Sequence, residues 1–191
     1  MGSGIEIRCS FCYSDDRKGT SYELLLGCGM MCFCKEQLRE YYDIENNRTL
    51  KLFGFNESPI EDESINETIL SNLKKGFSFT EHLGYIPYYC EACKTIVSLF
   101  YFQMELNGSY YIPKYNCRKC KNDLEPLNII WENYENNSEE DSIENIGIKY
   151  RMYMKKDNTI KIVSENEEKE LICRYCNNDK FIYLEDFIDW K

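Results

Sequence analysis

Residues 88–120 read YYCEACKTIVSLFYFQMELNGSYYIPKYNCRKC, a segment with a plan of its own. Cys90 and Cys93 form one Cys-x-x-Cys pair, Cys117 and Cys120 another. Two thiolates with two residues between them can turn toward a single metal ion in a tight knuckle. Between the pairs, Thr95 to Leu106 is rich in β-branched and aromatic residues and reads as a strand. Asn107-Gly108 is the strongest short hairpin signal, and Ser109 to Ile112 returns the chain toward the second pair. A third strand is expected from Leu124 to Trp131.

Knuckle, hairpin, knuckle is the plan of a zinc ribbon, although the 23 residues between Cys93 and Cys117 slightly exceed the usual spacing. Working outward, two more pairs appear, Cys9/Cys12 and Cys173/Cys176, so eight of the 11 cysteines lie in Cys-x-x-Cys pairs. A lone pair of this kind could be a redox couple, but four copies argue for metal. All-sulfur tetrahedral sites suit zinc, with iron the main competitor. Counting ligands favours joining Cys9 and Cys12 to Cys173 and Cys176. The alternative, local pairing with two of Cys28, Cys32 and Cys34, would strand the last pair. Two zinc ions are therefore expected.

Around these sites, Ile5–Arg8 and Tyr22–Leu26 read as strands. Cys34 to Tyr42 and Ile65 to Leu73 read as helices, the second opened by a capping box of Ser64 and Glu67 and closed near Gly76. Residues 132–145 are acidic with no basic residue and read as an exposed loop. A hairpin of Ile146–Met154 and Thr159–Val163 follows, and Phe181–Leu184 leaves the last knuckle as a strand covering the first ribbon. The expected fold class is strand-rich α+β, with two zinc-ribbon-like modules joined by short helices. Its expected domains are an outer module of 5–34 plus 146–190 closed by both chain termini, a helical connection over 35–84, a central ribbon over 85–131 and the acidic loop.

Thirty-three acidic against 23 basic side chains give a formal charge of −10. Two occupied four-thiolate sites would take it to about −14. Such a field repels nucleic acid and anionic lipid. No apolar run is long enough for a membrane helix and residues 1–4 have no leader character, so a cytoplasmic protein with no membrane partner is expected.

Cys9-Ser-Phe-Cys12, Leu26-Gly27-Cys28-Gly29-Met30, the unit from Tyr88 to Leu127 and the terminal Cys-x-x-Cys ending near Trp190 together give the chain a resemblance. It resembles a family of small, functionally uncharacterised bacterial zinc-ribbon proteins with four Cys-x-x-Cys knuckles. That resemblance implies two four-cysteine zinc sites, the outer one closed by the termini, and no established activity. Cys28, Cys32 and Cys34 do not look like family ligands.

The chemistry-bearing candidates are few. Cys28, Cys32 and Cys34 could form an extra thiol site for a third metal or a thiol enzyme, or pack as small apolar side chains. His82 is the only histidine, which excludes histidine triads and multi-histidine metal sites. Lys114, Arg118, Lys119 and Lys121, with Tyr110, Tyr111 and Tyr115, could contact phosphates and stack bases, or compensate a four-thiolate charge. The leading functional expectation is a non-catalytic adaptor or regulator that binds a protein partner; an acidic inhibitor from a phage or mobile element is one concrete form. Nucleic-acid binding through the basic patch and an enzyme using the extra thiols are the alternatives.

Overall fold

The computed structural model describes residues 3–12, 21–26, 34–50, 60, 62–131, 148–165 and 167–184. The centre of the molecule is a pair of long antiparallel strands, β5 (Ser78–Cys90) and β6 (Thr95–Leu106). They run in register from Cys90 opposite Thr95 to Leu83 opposite Phe102, where a bulge between Phe79 and Leu83 shifts the pairing. Asn107 and Gly108 both adopt positive φ, 51° and 79°, so β6 turns tightly into β7 (Ser109–Tyr111), as the Asn-Gly pair predicts.

On the other side of β5 lies β9 (Asp123–Trp131), which also pairs with β8 (Tyr115–Asn116). The expected hairpin forms as β10 (Tyr150–Met154) and β11 (Ile160–Ser164), and β12 (Glu167–Lys169) extends it. Its place differs from expectation: β10 pairs in parallel with β9, so the hairpin extends the large sheet in the order β12-β11-β10-β9-β5-β6-β7. A second sheet holds β1 (Ser3–Cys9) between β2 (Ser21–Leu26) and β13 (Phe181–Leu184), both antiparallel to it. A short ribbon pairs β3 (Tyr42–Asp43) with β4 (Arg48–Thr49). The stretch read as a helical connection thus also contains β3, β4 and the start of β5.

Two helices complete the described elements. α1 (Lys35–Glu40) is shorter than the expected 34–42, and α2 (Glu63–Lys74) covers the expected helix. The cap of α2 is Asp62 rather than Ser64: its Oδ1 accepts the backbone N–H groups of Ser64 (2.9 Å) and Ile65 (3.4 Å). A carboxylate also complements the positive end of the helix, which is why it displaces the serine. Gly76 ends the helix at φ +97°, with its N–H donating to the Leu73 carbonyl at 3.0 Å. Ile65, Ile69, Leu70 and Leu73 form the buried stripe.

The alternation of strand side chains divides the interior into two cores. Tyr88, Phe100, Phe102 and Met104 join α1, α2, Cys90 and Cys117 in the first. Tyr89, Ile96 and Leu127 join β1, β2, β10, β13, Cys9 and Cys173 in the second. Adjacent residues Tyr88 and Tyr89, each 1% exposed, therefore serve opposite faces of one strand. Their hydroxyls fare differently from that of Tyr115. The Tyr115 hydroxyl donates to the Phe100 carbonyl at 2.6 Å, whereas that of Tyr88 finds no hydrogen-bond partner among the described residues. Tyr88→Phe is expected to raise the unfolding free energy by about 1 kcal/mol and Tyr115→Phe to lower it by about 1 kcal/mol, as read by chemical denaturation.

Candidate metal centres

Strand ends and the turns between strands carry the candidate ligands. β5 delivers Cys90 into the turn of residues 91–94, and Cys93 closes that turn with its N–H 3.4 Å from the Cys90 Sγ. Cys117 follows β8, and Cys120 precedes β9. Cys9 ends β1, while Cys173 and Cys176 lie in the connection between β12 and β13. The pairing of β13 with β1, Phe181 opposite Cys9, carries the last knuckle to the first.

Three of the knuckles share a backbone signature. The residue after the second cysteine is left-handed in each: Lys94 at φ 51°, Lys121 at 65° and Asn177 at 57°. In two of them the hydrogen bonds are the same. The N–H of Lys121 donates to the Cys117 carbonyl (2.9 Å) and that of Cys117 to the Asn122 carbonyl (2.8 Å); Asn177 donates to Cys173 and Cys173 to Asn178, both at 2.9 Å. A lysine in this region carries strain that glycine lacks, so Lys121→Gly is expected to stabilise the fold by about 0.5–1 kcal/mol in denaturant titrations.

The sulfurs converge in two groups. Cys90 Sγ lies 3.5 Å from Cys120 Sγ and Cys93 Sγ 3.8 Å from Cys117 Sγ. Cys9 Sγ lies 3.6 Å from Cys176 Sγ and Cys12 Sγ 3.7 Å from Cys173 Sγ. Within each group of four, all sulfurs lie within 4.8 Å of one another. Thiolates about 2.3 Å from a tetrahedral zinc ion sit about 3.8 Å apart, whereas a disulfide would bring two sulfurs to about 2.05 Å. Both groups could hold a metal ion, and their spacing fits a four-sulfur cage. In each, one cysteine of a pair is buried and the other half-buried.

The protonation of these thiols follows from crowding. Burial and the neighbouring sulfurs Cys120 and Cys117 push Cys90 up to about 12, and burial with the same two sulfurs raises Cys93. Burial raises Cys9, and the Cys176 thiol followed by burial raises Cys12. Cys117 goes the other way. Burial opposes its ionisation too, but the backbone N–H groups of Cys120 and Lys119 together with hydrogen bonds from the Cys90 and Cys120 thiols outweigh it and bring the thiol down to about 6. Without a cation each cage therefore holds protons that a dication would displace.

The remaining candidates are dispersed. Lys114, Arg118, Lys119 and Lys121 are all exposed around the second central knuckle. Tyr110 is 51% exposed, but Tyr115 is buried, so the three rings are not presented together for stacking. Cys34 is exposed at the start of α1 and belongs to neither four-sulfur group; Cys28, Cys32 and the acidic loop lie outside the described residues. His82 is half-buried at the β5 bulge, its N–H donating to the Thr80 hydroxyl at 3.2 Å. Among the described residues, no helix is long and apolar enough to cross a membrane. The sequence motifs do not mark Phe11 and Tyr175, although both are exposed and each occupies the third position of an outer knuckle. No family model, curated protein or solved structure matches the chain; its two four-cysteine groups are consistent with zinc-ribbon-like sites.

Proposed function

We propose that this is a non-catalytic zinc protein in which Cys90, Cys93, Cys117 and Cys120 hold one structural ion and Cys9, Cys12, Cys173 and Cys176 the other, making two ribbon modules rigid enough to bind a protein partner. The observation that carries the reading is the double convergence of four sulfurs at tetrahedral spacing. All four positions of each cage are protein thiolates, which leaves no open position for substrate and suits a structural role. Elemental analysis after dialysis is expected to give two zinc ions per chain. Loading displaces protons from Cys90 and Cys93, whose thiols are raised, so affinity for the central ion is expected to fall by at least about 100-fold per unit of acidification below neutrality. Zinc release to a chromophoric chelator across a pH series measures this.

Protein binding is supported by the outer knuckles. Phe11 is 70% and Tyr175 68% exposed, and exposed Arg174 precedes Tyr175. Aromatic and arginine side chains dominate the energetics of protein interfaces. Affinity capture with mass spectrometry is expected to recover a reproducible protein with the native chain and to lose it with Phe11→Ser/Tyr175→Ser. Recovery of none by the native chain would count against the adaptor reading.

A second reading, nucleic-acid binding, is favoured by the exposure of Lys114, Arg118, Lys119 and Lys121 on an otherwise acidic protein. It requires a gel shift at low salt that weakens when Arg118 and Lys119 are replaced by alanine.

A further inference from the structure

The two centres are separate as ligand sets but joined by backbone. The first central knuckle, residues 89–94, meets the segment that leads into the last outer knuckle, residues 169–172, through four polar contacts. The Tyr89 hydroxyl donates to the Glu170 carbonyl at 2.7 Å. Glu91, which sits between the ligands Cys90 and Cys93, accepts from Lys169 Nζ at 2.9 Å and from the Tyr150 hydroxyl at 3.0 Å. Lys94 forms an ion pair with Glu170. Most telling, the Ile172 N–H donates to the Lys94 carbonyl at 2.9 Å. Ile172 immediately precedes Cys173, which is fully buried.

The Lys94 carbonyl points where it does because Lys94 is left-handed, and the closure of the Cys90–Cys93 turn holds it so. A knuckle that is open has no such constraint. We propose that loading the central centre organises the outer one: closing the first knuckle presents the Lys94 carbonyl and the Tyr89 and Glu91 side chains as a template that aligns residues 169–172 and so places Cys173 for its ion. Tyr89, Glu91 and Lys94 are then positioning residues for a metal site to which they contribute no ligand. The coupling is reciprocal in free energy, so an occupied outer centre also tightens the central one.

This inference rests on the metal reading above, and its test separates the two. Stepwise zinc affinities are measured by chelator competition for the native protein and for Tyr89→Phe/Glu91→Gln. Removing the Tyr89 hydroxyl and the Glu91 charge is expected to weaken the second binding step by about five- to tenfold, the worth of one or two hydrogen bonds, and to leave the first step unchanged. Two ions bound with both steps unaltered by the substitutions would overturn the coupling and leave the metal reading standing; failure to bind zinc at all would overturn both.

Amide exchange on Cys173→Ser provides a second measurement that does not depend on how the double variant folds. With the outer cage disabled, one zinc ion in the central centre is still expected to slow exchange of the Ile172 N–H at least tenfold over the metal-free protein. Exchange of Ile172 at the metal-free rate in zinc-loaded Cys173→Ser would overturn the template.

Discussion

Cys90→Ser is expected to leave a chain without a cooperative thermal transition, because on the proposed reading a central structural ion supplies more free energy than the fold has to spare. A structural zinc site contributes about 10–16 kcal/mol, against a total stability of about 5–15 kcal/mol for a typical domain. Cys90 is 1% exposed, so its serine hydroxyl would also be buried beside three thiolates. The consequence spreads because β5 and β6 serve both cores. Tyr88, Phe100 and Phe102 belong to the first, and Tyr89 and Ile96, paired directly across the two strands, to the second. Calorimetry of the variant, alongside the native protein treated with a strong chelator, reads the effect. A sharp transition in either sample would refute a structural role for this ion.

Cys173→Ser is expected to act more locally, and the asymmetry is the informative part. The cysteine is wholly buried in the second core, and its loss opens the cage that ties β13 to β1. Zinc content is expected to fall from two ions to one, and amide protection to vanish from β1, β2 and β13. β5 and β6 are expected to keep theirs, since α1, α2 and the central centre bury their other face. Hydrogen exchange followed by mass spectrometry resolves these segments. Equal loss of protection across both sheets would show that the two cores form one cooperative unit.

Much of this arrangement is legible in the residues because it is local. Thr95–Leu106 is a strand in the structure over its whole expected length, since β-branched and aromatic residues suit a sheet and Asn107-Gly108 accepts two positive φ angles. The grouping of eight thiols into two fours follows from counting. What escapes is nonlocal or contested. The parallel pairing of β10 with β9 has no signature, because alternation marks a strand and says nothing of its neighbour. Asp62 and Ser64 are both competent caps two residues apart, and charge decides between them. Lys94 and Lys121 are left-handed where composition would place glycine, because the knuckle imposes the conformation on whatever follows it. In β5, a bulge and Gly84 at φ 147° interrupt the alternation that would have marked its first residues as strand. The contacts of Glu91 with Lys169 and of Tyr89 with Glu170 join distant parts of the chain and leave no trace in either stretch.

The ligand numbering has a consequence for the newborn polypeptide. The central cage can close soon after Cys120 emerges from the ribosome, but the outer one waits for Cys176 while Cys9 and Cys12 are already outside. At typical rates of synthesis that delay is on the order of ten seconds or more. Over that interval two early thiols are open to oxidation or to a wrong cation, and a ribbon already built downstream of them is the surface on which their partners will later be delivered.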